Sequence, residues 1–352
     1  MKIGIVTIIG NNNYGNRLQN YALQEVLKKQ GYDVETVLNE PVFNFKHKYW
    51  LRKIKYFNVK KLDTYDTNVE RAEAFARFNK RIKFSNKLYT IKSKFDYDCL
   101  VVGSDQIWNP WFDRLSDFDL LNIKDSVTKI AYSASFGVDC LPVSVNTEKV
   151  TSCLKNFKAI SVRENEGKEI INKLLPDKEI QVLIDPTMML DSKEWDFVLE
   201  KPKQFKQGRF ILNYFLGNLS NDKKEEIQKI ASKYKCTVIN ILDKNDPYFS
   251  CGPSEFLYLE KHAFLICTDS FHSSVFAILY NRPFVIFDRD ENGVVNMNSR
   301  LNTLLSKLKI EDRRYNGEYI TEENLNHNYS KAYEILEKER NKSINFLNQI
   351  SK

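Results

Sequence analysis

The chain has 352 residues, a formal net charge of +7, and 42% hydrophobic, 13% aromatic and 28% charged residues. That length exceeds what one core needs and suits two domains, and the composition excludes a disordered or low-complexity chain. No apolar run approaches the roughly 20 residues of a membrane-spanning helix, and the opening MKIGIVTIIG turns polar too soon for a secretory signal, so a cytoplasmic protein is expected.

Lys2 to Ile8 reads as the first strand and the polar turn GNNNYGN follows it. A helix from Arg17 to Gln30 carries an apolar stripe at Leu18, Ala22 and Val26, flanked by Leu23 and Leu27, and Gly31 ends it. Asp33 to Leu38 is the second strand. This β–turn–α–β opening lacks both the G-x-G-x-x-G spacing of a dinucleotide site and the G-K-[ST] of a P-loop. Its turn is instead rich in amides, Asn11, Asn12, Asn13, Asn16, Gln19 and Asn20, which both donate and accept and so suit the reading of sugar hydroxyls. Plain turn chemistry accounts for some of these amides but not for all.

From Lys46 to Lys61, KHKYWLRKIKYFNVKK holds seven Lys and Arg and no acid, interleaved with aromatics. It suits an anionic surface, whether membrane headgroups, a lipid-linked diphosphate or nucleic acid, or else is a solvated connection. A helix is expected from Asp63 to Ile82. Cys99 to Val102 is a strand running into GSDQIWNP, whose Ser104, Asp105, Gln106, Trp108 and Asn109 form a sugar-binding type of set or, alternatively, a turn anchored by a core Trp. Further strands are Lys129 to Ser133, followed by SASFG, Ala159 to Val162, ending in Arg163-Glu164, and Gln181 to Ile184, leading into Asp185-Pro186-Thr187. Polar groups thus recur where strands end.

A second series starts near Gly208, with a strand at Phe210 to Phe215, a helix at Asn221 to Lys233, a strand at Cys236 to Leu242 and a helix at Pro253 to Lys261. His262 to Asp288 then reads as apolar strand, buried helix, apolar strand, the pattern of a parallel βαβ unit. Its polar residues Thr268, Asp269, Ser270, His272, Ser273 and Ser274 gather where strand becomes helix. Asp269 and Ser270 suit helix capping. His272 falls in the first helical turn at the C-terminal edge of the sheet, where α/β proteins place ligands and where the helix dipole favours a neutral imidazole able to exchange a proton near pH 7. Helices at Arg300 to Leu308 and Tyr329 to Ile350 close the chain.

The expected fold is therefore α/β, with two Rossmann-like domains facing a cleft, residues 1–195 and 196–352, and a C-terminal helix at 329–350 packing back on the first. The six cysteines lie far apart, and Cys99, Cys236 and Cys267 sit in apolar runs expected to bury reduced thiols. Cys267 and His272 have no second pair at ligand spacing, so no metal is expected.

The motifs GNNNYGNRLQNYAL, GSDQIWN, YSASFG, SVRE, DPT and TDSFHSSVFA, in this order over roughly residues 1 to 310, resemble the polysaccharide pyruvyl transferase family. The resemblance implies a GT-B-like architecture and a transferase that moves pyruvate from phosphoenolpyruvate (PEP) to two hydroxyls of one sugar, forming a cyclic ketal and releasing phosphate. It implies PEP as donor with no cofactor and no nucleic acid partner. The acceptor is a surface-polysaccharide precursor, lipid-linked if the segment 46–61 docks on the cytoplasmic membrane. Arg163 matches the family's PEP-binding arginine and His272 its active-site histidine. Asp105 is the expected base on the acceptor side. Ser270, Ser273, Ser274 and Arg300 complete the PEP set, and Asn13, Asn16, Gln19, Asn20, Gln106 and Trp108 the acceptor set. One departure stands out: many members have Arg-x-His where this chain has Ser270-Phe271-His272, and Arg300 is the replacement in view. Two alternatives are a GT-B glycosyltransferase using a nucleotide sugar and a non-catalytic glycan- or nucleotide-binding protein on the same scaffold. The first is disfavoured because Phe276 stands in the register where many such enzymes carry a ribose-binding Glu.

Overall fold

The computed structural model of the chain describes residues 1–10, 13–39, 68–112, 114–124, 126–289, 298–317 and 320–351. Asn11, Asn12 and the whole basic segment Lys46 to Lys61 lie outside the described residues.

Two parallel sheets organise the fold. The first has seven strands: β1 (Lys2–Val6), β2 (Asp33–Leu38), β3 (Phe84–Leu88), β4 (Cys99–Val102), β5 (Thr128–Ala134), β6 (Ala159–Val162) and β7 (Ile180–Val182). Their order is β3-β2-β1-β4-β5-β6-β7, and every pairing is parallel. The direction of winding reverses between β1 and β4, which opens a crevice at the C-terminal ends of these strands. The second sheet has four strands, β8 (Phe210–Tyr214), β9 (Thr237–Asn240), β10 (Leu265–Thr268) and β11 (Phe284–Ile286), in the order β11-β10-β8-β9, again all parallel. Its reversal lies between β8 and β10. The expected α/β class with two parallel sheets is therefore what the chain adopts.

β3 was not expected from the sequence. Its FSNKL exposes its last three residues at the sheet edge, and one short segment with one buried face gives almost no apolar signal. The helices follow the sequence more closely. α1 (Tyr14–Lys29) starts three residues before the expected Arg17, because Asn13 caps it by accepting from the Asn16 N–H at 3.2 Å. Lys28 and Lys29 occupy its last turn, and Gly31, at φ 86°, closes it in a conformation that favours glycine. The remaining helices used below are α2 (Val69–Asn79), α3 (Thr147–Lys155), α4 (Asn165–Leu174), α5 (Ser192–Asp196), α6 (Asn221–Tyr234), α7 (Pro253–His262), α8 (Phe271–Leu279), α9 (Ser299–Leu308), α10 (Glu322–Leu325) and α11 (Ser330–Leu347).

One apolar cluster runs from the first sheet into the second, through Leu18, Phe75, Trp195, Phe256 and Phe276. Tyr14 stacks on Phe256 at 4.6 Å and donates to the Cys251 carbonyl, while Arg71 reaches the carbonyls of Phe249 and Cys251. α1 and α2 are in this way fixed against α7. On the opposite side, α11 touches both sheets' helices and loops: Arg340 donates to the carbonyls of Met188 and Leu190, and Tyr333 to that of Ile278. Among the described residues no helix is long and apolar enough to cross a membrane. The six cysteines are free thiols, and burial pushes those of Cys99 and Cys267 up.

Candidate active site

Parallel strands deliver their C-terminal ends to one side of a sheet, and the loops there carry a cluster of buried charge, Asp105, Arg163, Glu164, Asp185 and Asp269. β4 exits through Gly103, whose φ of 130° and approach to the Tyr132 carbonyl leave no room for a Cβ. The turn places Asp105 at φ 59°, a left-handed conformation that Asp tolerates better than most residues. β6 exits at Arg163, β7 at Asp185, β10 at Asp269 and Ser270. α1 contributes Arg17 from its first turn and α9 contributes Arg300.

Asp185 is the hub. It is fully buried and accepts from Ser104 Oγ at 2.6 Å, Arg163 NH1 at 2.8 Å, Thr187 Oγ at 2.7 Å and the Thr187 N–H at 3.0 Å. His272 Nε2 lies 3.7 Å from its Oδ2, too long for a hydrogen bond but close enough for an ion contact when the imidazole carries a proton. Burial works against the charge on Asp185. His272, Arg163 and Ser104 outweigh it and hold the carboxyl well below the usual carboxylate range. Arg163 is likewise buried and in ion contact with Asp105 Oδ1 at 3.3 Å, and its guanidinium lies over the Phe271 ring at 4.5 Å. Burial opposes its charge too, but Asp185 and Asp105 more than offset this and raise its pKa.

Two further arginines face the same carboxylate. Arg17 is fully buried; one guanidinium nitrogen donates to the Ile8 carbonyl, and burial lowers its pKa to about 10 despite the pull of Asp105. Arg300 is 8% exposed and is lowered to about 10 by burial and by the neighbouring charge of Arg163, with Asp105 and Glu164 acting the other way. Arg17 Nε and NH1, Arg163 Nε and Arg300 Nε are buried and have no partner among the described residues. An unmade hydrogen bond at a buried charged group costs on the order of 1–3 kcal/mol or more, so these four nitrogens favour a hydrogen-bond acceptor beside them.

His272 is held from the other side by a glycine. A Cβ on Gly15 would lie 2.1 Å from His272 Nδ1, so only glycine lets the imidazole rest on the first turn of α1. Ser270 is the N-cap residue of α8 by backbone conformation, but its side chain makes no capping bond, which leaves the first-turn N–H groups open to an anion. Asp269 does not cap the helix either. It accepts from the N–H groups of Leu216 and Gly217 at 2.7 and 2.8 Å and pairs with Arg289 at 2.9 Å, tying the loop after β8 to the site.

Several expected ligands are turned inward. Ser273 Oγ donates to Glu260 at 2.6 Å and Ser274 Oγ to the Ser270 carbonyl at 3.0 Å, so neither hydroxyl proton is available to a PEP anion. Every residue of α8 is buried, so its sequence cannot show which polar side chains are taken up by neighbouring elements. Trp108 is fully buried, donates to the Asp119 carbonyl and packs on Phe136 and Phe157; it is the core Trp of its turn and not a sugar platform. Gln19 bridges Thr7, the Asn16 carbonyl and the Ser104 N–H, and Asn20 donates to Thr36 at 2.7 Å; both belong to the packing of α1 on its sheet. Asn13 serves as the α1 cap, beside Asn16. Gln106 keeps a buried Nε2 without a partner among the described residues, close to Gly137. Asp105, expected on the acceptor side, stands with the arginines. The sequence reading missed Arg17 as a site residue and did not single out Asp185 within DPT. A charged residue on the buried face of a helix was the available signal for Arg17. Among the described residues no group of His, Cys, Asp and Glu is placed to hold a metal.

The chain belongs to the polysaccharide pyruvyl transferase family, whose profile matches residues 13–291. No curated protein matches it significantly. Among solved structures it is similar to a UDP-GlcNAc 2-epimerase from Methanocaldococcus jannaschii, at 13% identity over 96% of this chain and 92% of that one, with a TM-score of 0.48. It is also similar to the Neisseria meningitidis UDP-GlcNAc 2-epimerase (10%, 97% and 94%, TM-score 0.46). A third likeness is to a UDP-glucosyltransferase from Polygonum tinctorium (11%, 99% and 94%, TM-score 0.41).

Proposed function

We propose that this chain transfers the pyruvyl group of PEP to two hydroxyls of one sugar in a surface-polysaccharide precursor, yielding a cyclic ketal and inorganic phosphate. The observation that carries the reading is the set of four buried guanidinium nitrogens on Arg17, Arg163 and Arg300 that have no partner among the described residues. PEP presents a carboxylate and a phosphate a few atoms apart, and arginine binds either group bidentately. Three arginines suit both groups together. Arg17, not expected from the sequence, supplies a charge in place of the arginine that Ser270 replaces.

In this reading His272 delivers a proton to the PEP methylene carbon and C2 becomes oxocarbenium-like. A first sugar hydroxyl attacks C2 and gives up its proton, the C2–O bond to phosphate breaks, and a second hydroxyl closes the ketal. One hydroxyl proton replaces the one His272 delivered, and the other leaves with phosphate. Asp185 stabilises the imidazolium across 3.7 Å, and Asp105, paired with Arg163 through one oxygen, offers the other as base toward the acceptor. The arginines hold the charge of the departing phosphate.

The test is phosphate release from PEP with and without an acceptor glycan. Acceptor-dependent release is expected, together with PEP binding that Arg163→Ala abolishes. Acceptor-dependent loss of a nucleotide from a UDP-sugar, with PEP left intact, would refute the reading.

A further inference from the structure

A cleft of about 480 Å³ opens at the C-terminal ends of β8 and β9, inside the ~300–1,000 Å³ range of small-molecule sites. Its polar lining is unlike the arginine cluster. It holds the amides of Asn213, Asn218, Gln228 and Asn240, with one carboxylate, Asp243, and one ammonium, Lys224, while Phe215 and Leu242 give apolar wall. Asn213 is 8% exposed; it donates to Asn240 Oδ1 at 2.9 Å and leaves its own Oδ1 buried with no partner among the described residues. A buried amide oxygen in that state needs a donor. The loop after β8 joins this cleft to the arginine side, because Gly217 lines the cleft and its N–H is held by Asp269, three residues before His272.

Amides donate and accept at once, as sugar hydroxyls do, and a carboxylate can take two neighbouring hydroxyls. The lining charges cancel, which suits a neutral ring better than a phosphate. We propose that this cleft holds a pyranose unit of the acceptor glycan. The proposal rests on the pyruvyl transfer reading and assigns the binding of this unit to the second sheet rather than to Gln19, Asn20 and Trp108, which are engaged in packing.

Saturation-transfer NMR on the full chain with the methyl β-glycosides of glucose, galactose and mannose tests it, with PEP binding measured on the same samples. At least one pyranoside is expected to receive saturation. Its binding is expected to weaken tenfold or more in Asn213→Leu and in Gln228→Ala, the latter an exposed helix position that leaves the core untouched, while PEP binding stays as in the parent. Transfer to none of the three, or transfer unchanged in both variants, overturns the proposal. Transfer to uridine that these substitutions abolish also overturns it, by assigning the cleft to a nucleoside. If the parent protein fails to bind PEP, the transfer reading falls while the pyranoside result is judged on its own.

Discussion

Gly15→Ala is the sharpest probe of His272. The added Cβ would lie 2.1 Å from Nδ1, about 1.3 Å short of ordinary contact at 3.4 Å, and 2.6 Å from Cε1. The imidazole must therefore retreat by about 1 Å from the first turn of α1, and its 3.7 Å approach to Asp185 changes with it. A misplacement of that size in a reacting group costs on the order of 10²-fold in rate. The substitution itself favours the helix, since alanine exceeds glycine in helix propensity by about 1 kcal/mol. Folding should thus survive while turnover falls. The assay is acceptor-dependent phosphate release, with kcat and KM for PEP determined separately. A loss near 10²-fold in kcat is expected, with a smaller change in KM. The same change in a His272→Ala background should add little, because the side chain it collides with is gone. Near-parental turnover in Gly15→Ala, or an equal loss in both backgrounds, would refute the placement of His272 at the reaction.

Arg17→Met should weaken PEP binding tenfold or more by calorimetry while leaving the melting temperature unchanged or higher, because it removes a buried guanidinium with two nitrogens that have no partner among the described residues. Asp185→Asn should destabilise the protein at neutral pH by about 3–5 kcal/mol in denaturant titrations, since it breaks a buried pair with Arg163. Its native pKa is depressed, so the stability it contributes is present above the unfolded carboxylate value and lost as pH falls below it; the gap between variant and parent should narrow toward pH 3. Glu260 is fully buried with its pKa raised well above the usual value, by burial first, so Glu260→Gln should raise the melting temperature at pH 8 and not at pH 4. Trp108→Phe should lower stability by ~1–3 kcal/mol and leave the acceptor KM within about twofold, whereas a large KM effect would restore the indole to the acceptor site.

The alternation of strands and helices, the two parallel series, and the gathering of polar residues at strand exits were all legible in the chain's local pattern. These are local properties: a four-residue apolar run such as LICT, followed by a polar turn and an apolar helix, has few other ways to bury its surface. It also carried the family, through six short motifs in order. What it could not decide was which polar side chains face the cleft. Gln19 and Arg17 are two residues apart in α1, yet Gln19 is consumed by Ser104, 85 residues away, while Arg17 keeps two nitrogens without a partner among the described residues. Trp108 sits inside because Phe136 and Phe157 surround it, and Ser273 faces inward because Glu260 of α7 lies beneath α8. Orientation of a polar side chain is set by a partner far along the chain, and only the assembled sheets bring such partners within hydrogen-bond reach.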